Sequence, residues 1–448
     1  MQRRGDCARW SSLRGMLKQL DRRFLSTLLA TLVVLGTILR FGIAVWDNPT
    51  GHLFSDPARH WDNAVNFFHP GLMGGCDPIL YQVYLFLVLT VSRGNALVIG
   101  TLTGLLSAAM PWIYYRAARA FGLGKNWAMT YWVLMAWLPS FFSIYRYFMM
   151  ETLLLPMIGL GLWMTARALR KNDLSSFWIM TFVWILAILT KAQAIPIAAV
   201  CWGYALRPLA TKPMAIVTSL LTFTVLLIPN AIRSHAILGY FAPLGSSYIA
   251  RIMHESGAIR TEFNLNTGHW GYSSPSCYIM PMEPLNHWRI ERGTKDVSPQ
   301  VQINLAHGRQ DWEAALAEVN RSPREWWWNL FENIALFFFA PSWPDTDTGC
   351  LSGWLNYYSR WLWAPLFCQV LVGNAELFLR RRFPLVPIAT SLMLPVLIFQ
   401  NSITMEGRYR KPVEPLLILN AFMLWATPRR SANSKLETEL TNNHSALI

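Results

Sequence analysis

The sequence predicts an all-α polytopic membrane protein: about ten transmembrane helices, an amphipathic first outside loop and a small extracytoplasmic region. Three observations predict it. Of 448 residues, 53% are hydrophobic and only 14% are charged, whereas a soluble domain carries about a quarter charged residues. The apolar residues fall in runs near the length that crosses a bilayer, about 20 residues for about 30 Å of hydrocarbon. Lys and Arg gather in short clusters between those runs: Arg116 with Arg119 and Lys125, Arg167 with Arg170 and Lys171, Arg380 with Arg381 and Arg382. That is the pattern of cytoplasmic loops. The formal net charge of +14 is therefore a signal of topology, and nucleic acid is not an expected partner.

The first 23 residues are basic (Arg3, Arg4, Arg9, Arg14, Lys18, Arg22, Arg23). The apolar run after them is longer than a signal-peptide core of roughly 7–15 residues, so it reads as a retained first helix, 24–46. Further spans are expected at 95–115, 127–144, 148–166, 176–190, 192–206, 214–231, 354–378, 383–399 and 412–427. The runs 176–190 and 192–206 meet at Lys191. One continuous helix of about 30 residues would be roughly 45 Å long and would carry Arg207 and Lys212 outside, so a hairpin is expected. The chain then divides into a basic cytoplasmic N-terminus (1–23) and a transmembrane region (24–231) that includes the first outside loop (47–94). An extracytoplasmic region (232–353), C-terminal transmembrane helices (354–427) and a cytoplasmic tail (428–448) follow.

Within the outside region, 326–341 (WWWNLFENIALFFFAP) is short and interrupted by Asn329 and Glu332; it reads as an interfacial helix with a Trp belt. Cys76, Cys277 and Cys350 fall in outside loops, Cys201 and Cys368 in apolar runs, and Cys7 in the N-terminus. One disulfide among the three outside cysteines and three free thiols are both open, and no metal-ligand spacing appears. P-loop, Rossmann, nucleophile-elbow and paired-histidine zinc motifs are missing from the sequence. Asn320-Arg321-Ser322 is a formal glycosylation acceptor of a kind frequent by chance.

Five segments carry chemistry. The first, Phe54–Pro70 (FSDPARHWDNAVNFFHP), places Pro57 in the first turn of a helix with Ser55 or Asp56 as cap. At 3.6 residues per turn, Ala58, Trp61, Ala64, Val65 and Phe68 share one face. Asp56, Arg59, His60, Asp62, Asn63 and Asn66 share the other. Such a helix lies in the membrane surface. Its polar face is either an acid–base or metal-binding set or a solvated face with Asp56 as a mere cap. The second segment holds Glu151 at the start of an apolar run, a functional residue or a helix-capping carboxylate. The third is Lys191, isolated between apolar runs: it meets an anionic group in a polar cavity, or it snorkels to an interface. The fourth is the exit Ile228-Pro229-Asn230-Ala231-Ile232-Arg233. The fifth is Gly407-Arg408-Tyr409-Arg410-Lys411-Pro412, with three cations on the predicted outside against the positive-inside trend. Arginine forks match phosphate oxygens.

Taken in order, SDPARHWDNA, METLLLP, IPNAIRSHAILGYFAPL and RYRKPVEP resemble the motifs of integral-membrane glycosyltransferases of the C-type fold. The likeness is nearest to the protein-mannosyltransferase and aminoarabinose-transferase branch. The resemblance implies a polyprenyl-phosphate sugar donor used on the extracytoplasmic side, in a bacterial inner membrane, with a lipid, glycan or protein acceptor. It implies Asp56 as the catalytic carboxylate, with Asp62 as its alternative, and Glu151 as the second acidic site residue. Arg59 and His60 then join the substrate site. Lys191, Arg233, Arg408, Tyr409 and Arg410 bind the donor, the cations among them facing the departing phosphate. A divalent metal, Mg or Mn, is left open. Two departures stand out: Asp56 is followed by Pro57 where relatives carry an Asp-Glu pair, and Arg233 is followed by Ser234 where they read Arg-Asn. A transporter or lipid-carrier flippase for an anionic substrate is the competing reading, and a non-catalytic scaffold the third.

Overall fold

The structure, a computed structural model, describes residues 3–53, 55–69, 74, 77–209, 213–238, 241, 243–244, 261–264, 269–272, 351–400 and 410–426. Most of the long outside region lies beyond them, with the 326–341 segment, the three outside cysteines, the Asn320 triplet and the tail from Ser431. The described residues are helical apart from one antiparallel hairpin, β1 (Thr261–Asn264) with β2 (His269–Tyr272). Among the described residues, four helical segments are long and apolar enough to cross a membrane: Phe24–Trp46, Ala96–Ala120, Glu151–Lys171 and Pro213–Ile237.

Helix α1 runs unbroken over Arg3–Trp46, so the basic N-terminal residues continue the apolar helix. After it come α2 (Ser55–Val65) and α3 (Ile79–Ser92). The second of these was not expected. It is apolar, but at 14 residues it reaches only about 21 Å. Arg93 and Gly94, both in left-handed backbone, turn the chain tightly into α4 (Ala96–Ala120), which Asn95 caps through the Val98 amide. Against α1, α4 packs through Gly100 and Gly104. A Cβ at either would meet the Ala44 or Phe41 carbonyl at 3.1 Å, the close approach that small residues four apart permit.

The expected span 127–144 is instead α5 (Lys125–Trp137), the short α6 (Pro139–Phe142) and a 3-10 turn, Ser143–Arg146. The reason is Pro139, which pushes Leu138 into extended backbone and stops the helix. Next are α7 (Glu151–Lys171) and α8 (Leu174–Thr190), the latter capped by Asp173, whose carboxylate accepts from the Ser176 amide at 2.7 Å. Lys191 then breaks the helix in extended backbone, and a 3-10 turn, Ala192–Ala194, leads to α9 (Ile195–Leu206). The Trp202 indole donates to Thr181 Oγ1 at 3.0 Å, so α9 folds back along α8 as the expected hairpin. Helix α10 (Pro213–Leu238) lies on α8, where the Trp178 indole meets Thr218. Of the C-terminal helices α11 (Leu351–Leu379), α12 (Leu385–Gln400) and α13 (Glu414–Ala426), a buried amide chain joins all three. Asn420 donates to Asn374, which donates to Ser391 and the Pro387 carbonyl.

One side chain ties the first half together. Arg40, fully buried in α1, donates from Nε to the Ser107 carbonyl (2.7 Å), from Nη1 to Met135 (3.1 Å) and from Nη2 to Phe141 (2.8 Å). Proline chemistry explains the first two. Pro111 and Pro139 lack the N–H that would pair the carbonyl four residues earlier, and those carbonyls belong to Ser107 and Met135. The third ends α6, where a carbonyl has no intrahelical donor. The guanidinium also lies 5.4 Å from the Tyr145 ring centroid. One cation thus fastens α4, the end of α5 and the turn that leads into α7.

Each buried carbonyl stripped of its donor costs about 1–3 kcal/mol. Arg40→Leu is therefore expected to lower stability by several kcal/mol in thermal unfolding of the detergent-purified protein. In that background Pro111→Ala, which returns an N–H to Ser107, should recover part of the loss while helping the wild type less. Equal effects of Pro111→Ala in both backgrounds would contradict the clasp.

Candidate functional site

Helix α2 forms where Pro57 fits the first turn and the apolar and polar positions separate at helical spacing. The helix is buried along the side that holds His60 (1% exposed), Asn63 (5%) and Ala64 (1%), and open along the side that holds Val65 (57%) and Phe68 (74%), with Asp62 and Asn66 also exposed. Exposed Val65 and Phe68 suit lipid, while Asp56, Arg59 and His60 meet other charged groups. Asp62 is exposed and stands apart from the polar set below.

Arg59 sits at the centre of that set. Its Nη1 is 3.0 Å from Asp56 Oδ1 and its Nε is 3.2 Å from Asp77 Oδ2. The same Asp77 oxygen is 3.5 Å from His60 Nδ1. Asp56 and Arg59 each keep about a quarter of their side-chain surface open, 24% and 26%, while that of Asp77 is reduced to 12%. Burial holds the His60 pKa below its ordinary value, against the opposing pull of the Asp77 carboxylate. The imidazole is thus neutral near pH 7, with its ring edge-on to Tyr81 at 5.2 Å.

Arg233, near the end of α10, reaches the same loop. It donates to the Gly74 carbonyl at 2.5 Å and to Gln82 Oε1, and it lies 5.7 Å from the Phe67 ring centroid. Gln82 in turn donates to the carbonyls of Gly74 (3.0 Å) and Asp77 (3.3 Å). Arg233 and Asp77 are within electrostatic reach of each other. The loop between α2 and α3 is therefore gripped by Gln82 from the adjoining α3 and by Arg233 from the distant α10.

Glu151, at the first position of α7 and 1% exposed, holds Lys191 at 2.7 Å. Of the two Lys191 alternatives, the structure has the ammonium meeting an anionic group, and that group is the protein's own Glu151. Glu151 is within electrostatic reach of His60 and Tyr81, and the Thr152 and Tyr81 side chains meet. The two polar groups are thus contiguous through Tyr81. Beside them, Asp47 pairs with Arg146 and, at 2.5 Å, with His52 Nε2, which leans on the Tyr147 ring at 4.9 Å.

Of the expected residues, the structure brings together Asp56, Arg59, His60, Glu151, Lys191 and Arg233. Arg410 is anchored in a further group: its Nε meets Glu414 Oε1 at 2.7 Å, 5.6 Å from the Trp363 ring centroid, and Lys411 reaches Ser143 at 3.5 Å. Arg408 and Tyr409 lie outside the described residues. Asp77 and Gln82 were missed. The signal for Asp77 was present, since Cys76-Asp77-Pro78 repeats the Ser55-Asp56-Pro57 pattern that opens α2. Among the described residues, no three His, Cys, Asp or Glu side chains are grouped as metal ligands.

Two outcomes follow. Breaking a buried ion pair on one side costs about 3–5 kcal/mol, more than replacing both partners. Lys191→Met should accordingly lower thermal stability further than Glu151→Gln with Lys191→Met together; the reverse order would contradict the buried pairing. The lowered His60 pKa also has a sign. Below about pH 6.5, the ordinary histidine value, the unfolded chain takes up a proton that the folded chain refuses. Stability is then full above that value and falls as pH drops through it towards the folded pKa. His60→Gln should flatten this slope in unfolding scans, and an unchanged slope would contradict it. Comparison with known proteins finds no family model and no curated protein that matches the chain.

Proposed function

We propose that the chain is a membrane glycosyltransferase that moves a sugar from a polyprenyl-phosphate donor to a hydroxyl of a lipid, glycan or protein. In this reading about ten helices cross a bacterial inner membrane, both termini are cytoplasmic, and the polar cluster faces the extracytoplasmic side. The observation that carries it is the contact set at Arg59. A carboxylate and guanidinium each about a quarter open, on a surface-lying helix, pair with buried Asp77 beside α3, and the Glu151–Lys191 pair and partly buried Arg233 complete the polar cluster. Carboxylates and fixed cations side by side are what transfer from a phosphate requires.

The reaction follows from those groups. Asp56 takes the proton of the acceptor hydroxyl, with exposed Asp62 as the alternative base. The hydroxyl oxygen attacks the anomeric carbon opposite the phosphate. The carbon–oxygen bond to phosphate breaks, its electron pair leaves on the polyprenyl phosphate, and the configuration inverts. Arg59, Arg233 and Lys191 are fixed cations, which stabilise negative charge as it grows on the leaving group. The charge is assigned to these side chains because their cations are fixed beside the carboxylates. A transporter would use the same cations for binding, but it usually builds its site at the midplane from a symmetric pair of broken helices. The break at Lys191 has no described counterpart in the other half.

Asp56→Asn is expected to reduce transfer from a radiolabelled polyprenyl-phosphate hexose by about a hundredfold or more with membrane levels unchanged, while Asp62→Asn keeps the wild-type rate. An active Asp56→Asn with an inactive Asp62→Asn would move the base. Full activity in both, or label crossing sealed vesicles without a new glycosidic bond, would overturn the reading.

A further inference from the structure

Asp77 belongs to no motif that the sequence singled out, yet more of the site converges on it than on any exposed residue of α2. Its carboxylate faces Arg59 Nε at 3.2 Å and His60 Nδ1 at 3.5 Å, and Arg233 lies within electrostatic reach. Its backbone carbonyl accepts from Gln82 at 3.3 Å, and Gln82 is itself bonded to Arg233. The residue is buried behind the two side chains that keep surface open, Asp56 and Arg59. The spatial order is therefore Asp56 in front, Arg59 between, and Asp77 behind.

We infer that Asp77 is a positioning residue: by holding Arg59 from behind, it sets the orientation and basicity of Asp56 for the transfer reaction. The inference rests on the function proposed above. A guanidinium fork presents donors in a fixed plane. Nε lies 3.2 Å from Asp77 Oδ2 as an ion pair outside hydrogen-bond geometry, while Nη1 lies 3.0 Å from Asp56 Oδ1, so the guanidinium is held between the two carboxylates. The positive charge of Arg59 faces both carboxylates, so removing the charge of Asp77 leaves Asp56 as the carboxylate that Arg59 faces at 3.0 Å. A catalytic group held within about half an ångström of its productive place needs support of this kind. His60, neutral and buried against the same oxygen, fills the remaining side of Asp77 without competing for it as a full charge.

The test is the pH–rate profile of transfer from the radiolabelled polyprenyl-phosphate hexose. In Asp77→Asn, Arg59 passes wholly to Asp56. The acid limb should move to lower pH, and the plateau rate should fall about tenfold to a hundredfold, as a misplaced and weaker base implies. Asp77→Glu, which keeps the charge, should return the limb to its wild-type position with part of the rate. A merely structural role would scale the rate with the amount of folded protein and leave the limb in place. That result, or Asp77→Asn within twofold of wild type, overturns the inference. If Asp77→Asn fails to accumulate in the membrane, Asp77→Glu decides: a lowered plateau supports the positioning role and a wild-type plateau overturns it. If the wild type transfers no sugar, the proposed function falls. The hold on Arg59 is then read from phenylglyoxal modification, mapped by mass spectrometry. Faster modification in Asp77→Asn than in wild type supports it, and equal rates overturn it.

Discussion

The buried guanidinium of Arg40 is the interaction on which the first half of the molecule depends. An apolar helical bundle must satisfy its backbone internally, because neither lipid tails nor packed apolar side chains will accept or donate a hydrogen bond. Two prolines break that rule by removing N–H groups from α4 and from the end of α5. Arg40 restores it from a third helix, with all three donating nitrogens on carbonyls. The kinked path that results is what delivers Arg146 to Asp47 and Glu151 to Lys191. Without the break at Pro139, the 139–150 segment would continue as helix. Glu151 would then emerge in another place.

The same constraint shapes the charged groups. Removing an ammonium or a carboxylate from water is costly unless an opposite charge and further hydrogen bonds meet it. Lys191 meets Glu151, Arg410 meets Glu414, and Arg59 meets two carboxylates at once. In the proposed reaction a phosphate would meet cations already oriented but already engaged, so it would bind by exchange of one anion for another rather than by capture at a bare cation. The part left most open to solvent, Asp56 with Arg59, is also the part that the proposed chemistry places against the substrate.

Much of this was legible in the sequence, for identifiable reasons. Hydropathy located the helices because span length is a property of composition alone. It missed α3, since the run Ile79–Ser92 is too short to span and is interrupted by Gln82 and by Tyr81 and Tyr84. It overran α5, because counting apolar residues does not register that Pro139 ends a helix while apolar residues continue beyond it. Helical spacing correctly set Asp56, Arg59, His60 and Asn63 on one face of α2. It could not say that His60 and Asn63 turn inward together with Ala64 while Val65 and Phe68 stay exposed, a choice made by what packs against the helix. Lys191 was conspicuous as an isolated cation. Its partner lies 40 residues away, and no local pattern announces a pairing at that range. Asp77 was hidden for the opposite reason: an Asp before a Pro is common in turns, and only the contacts of Arg59 lift it above that background.

The central claim is that α2 and the residues gathered beneath it form one site on the face of the membrane opposite the basic turns. Single cysteines introduced at position 62, exposed on α2, and at position 381, in the left-handed turn after α11, test it in a background without native cysteines. A membrane-impermeant maleimide should label position 62 in intact cells and position 381 only after permeabilisation. Labelling of both positions from the same side would contradict the account.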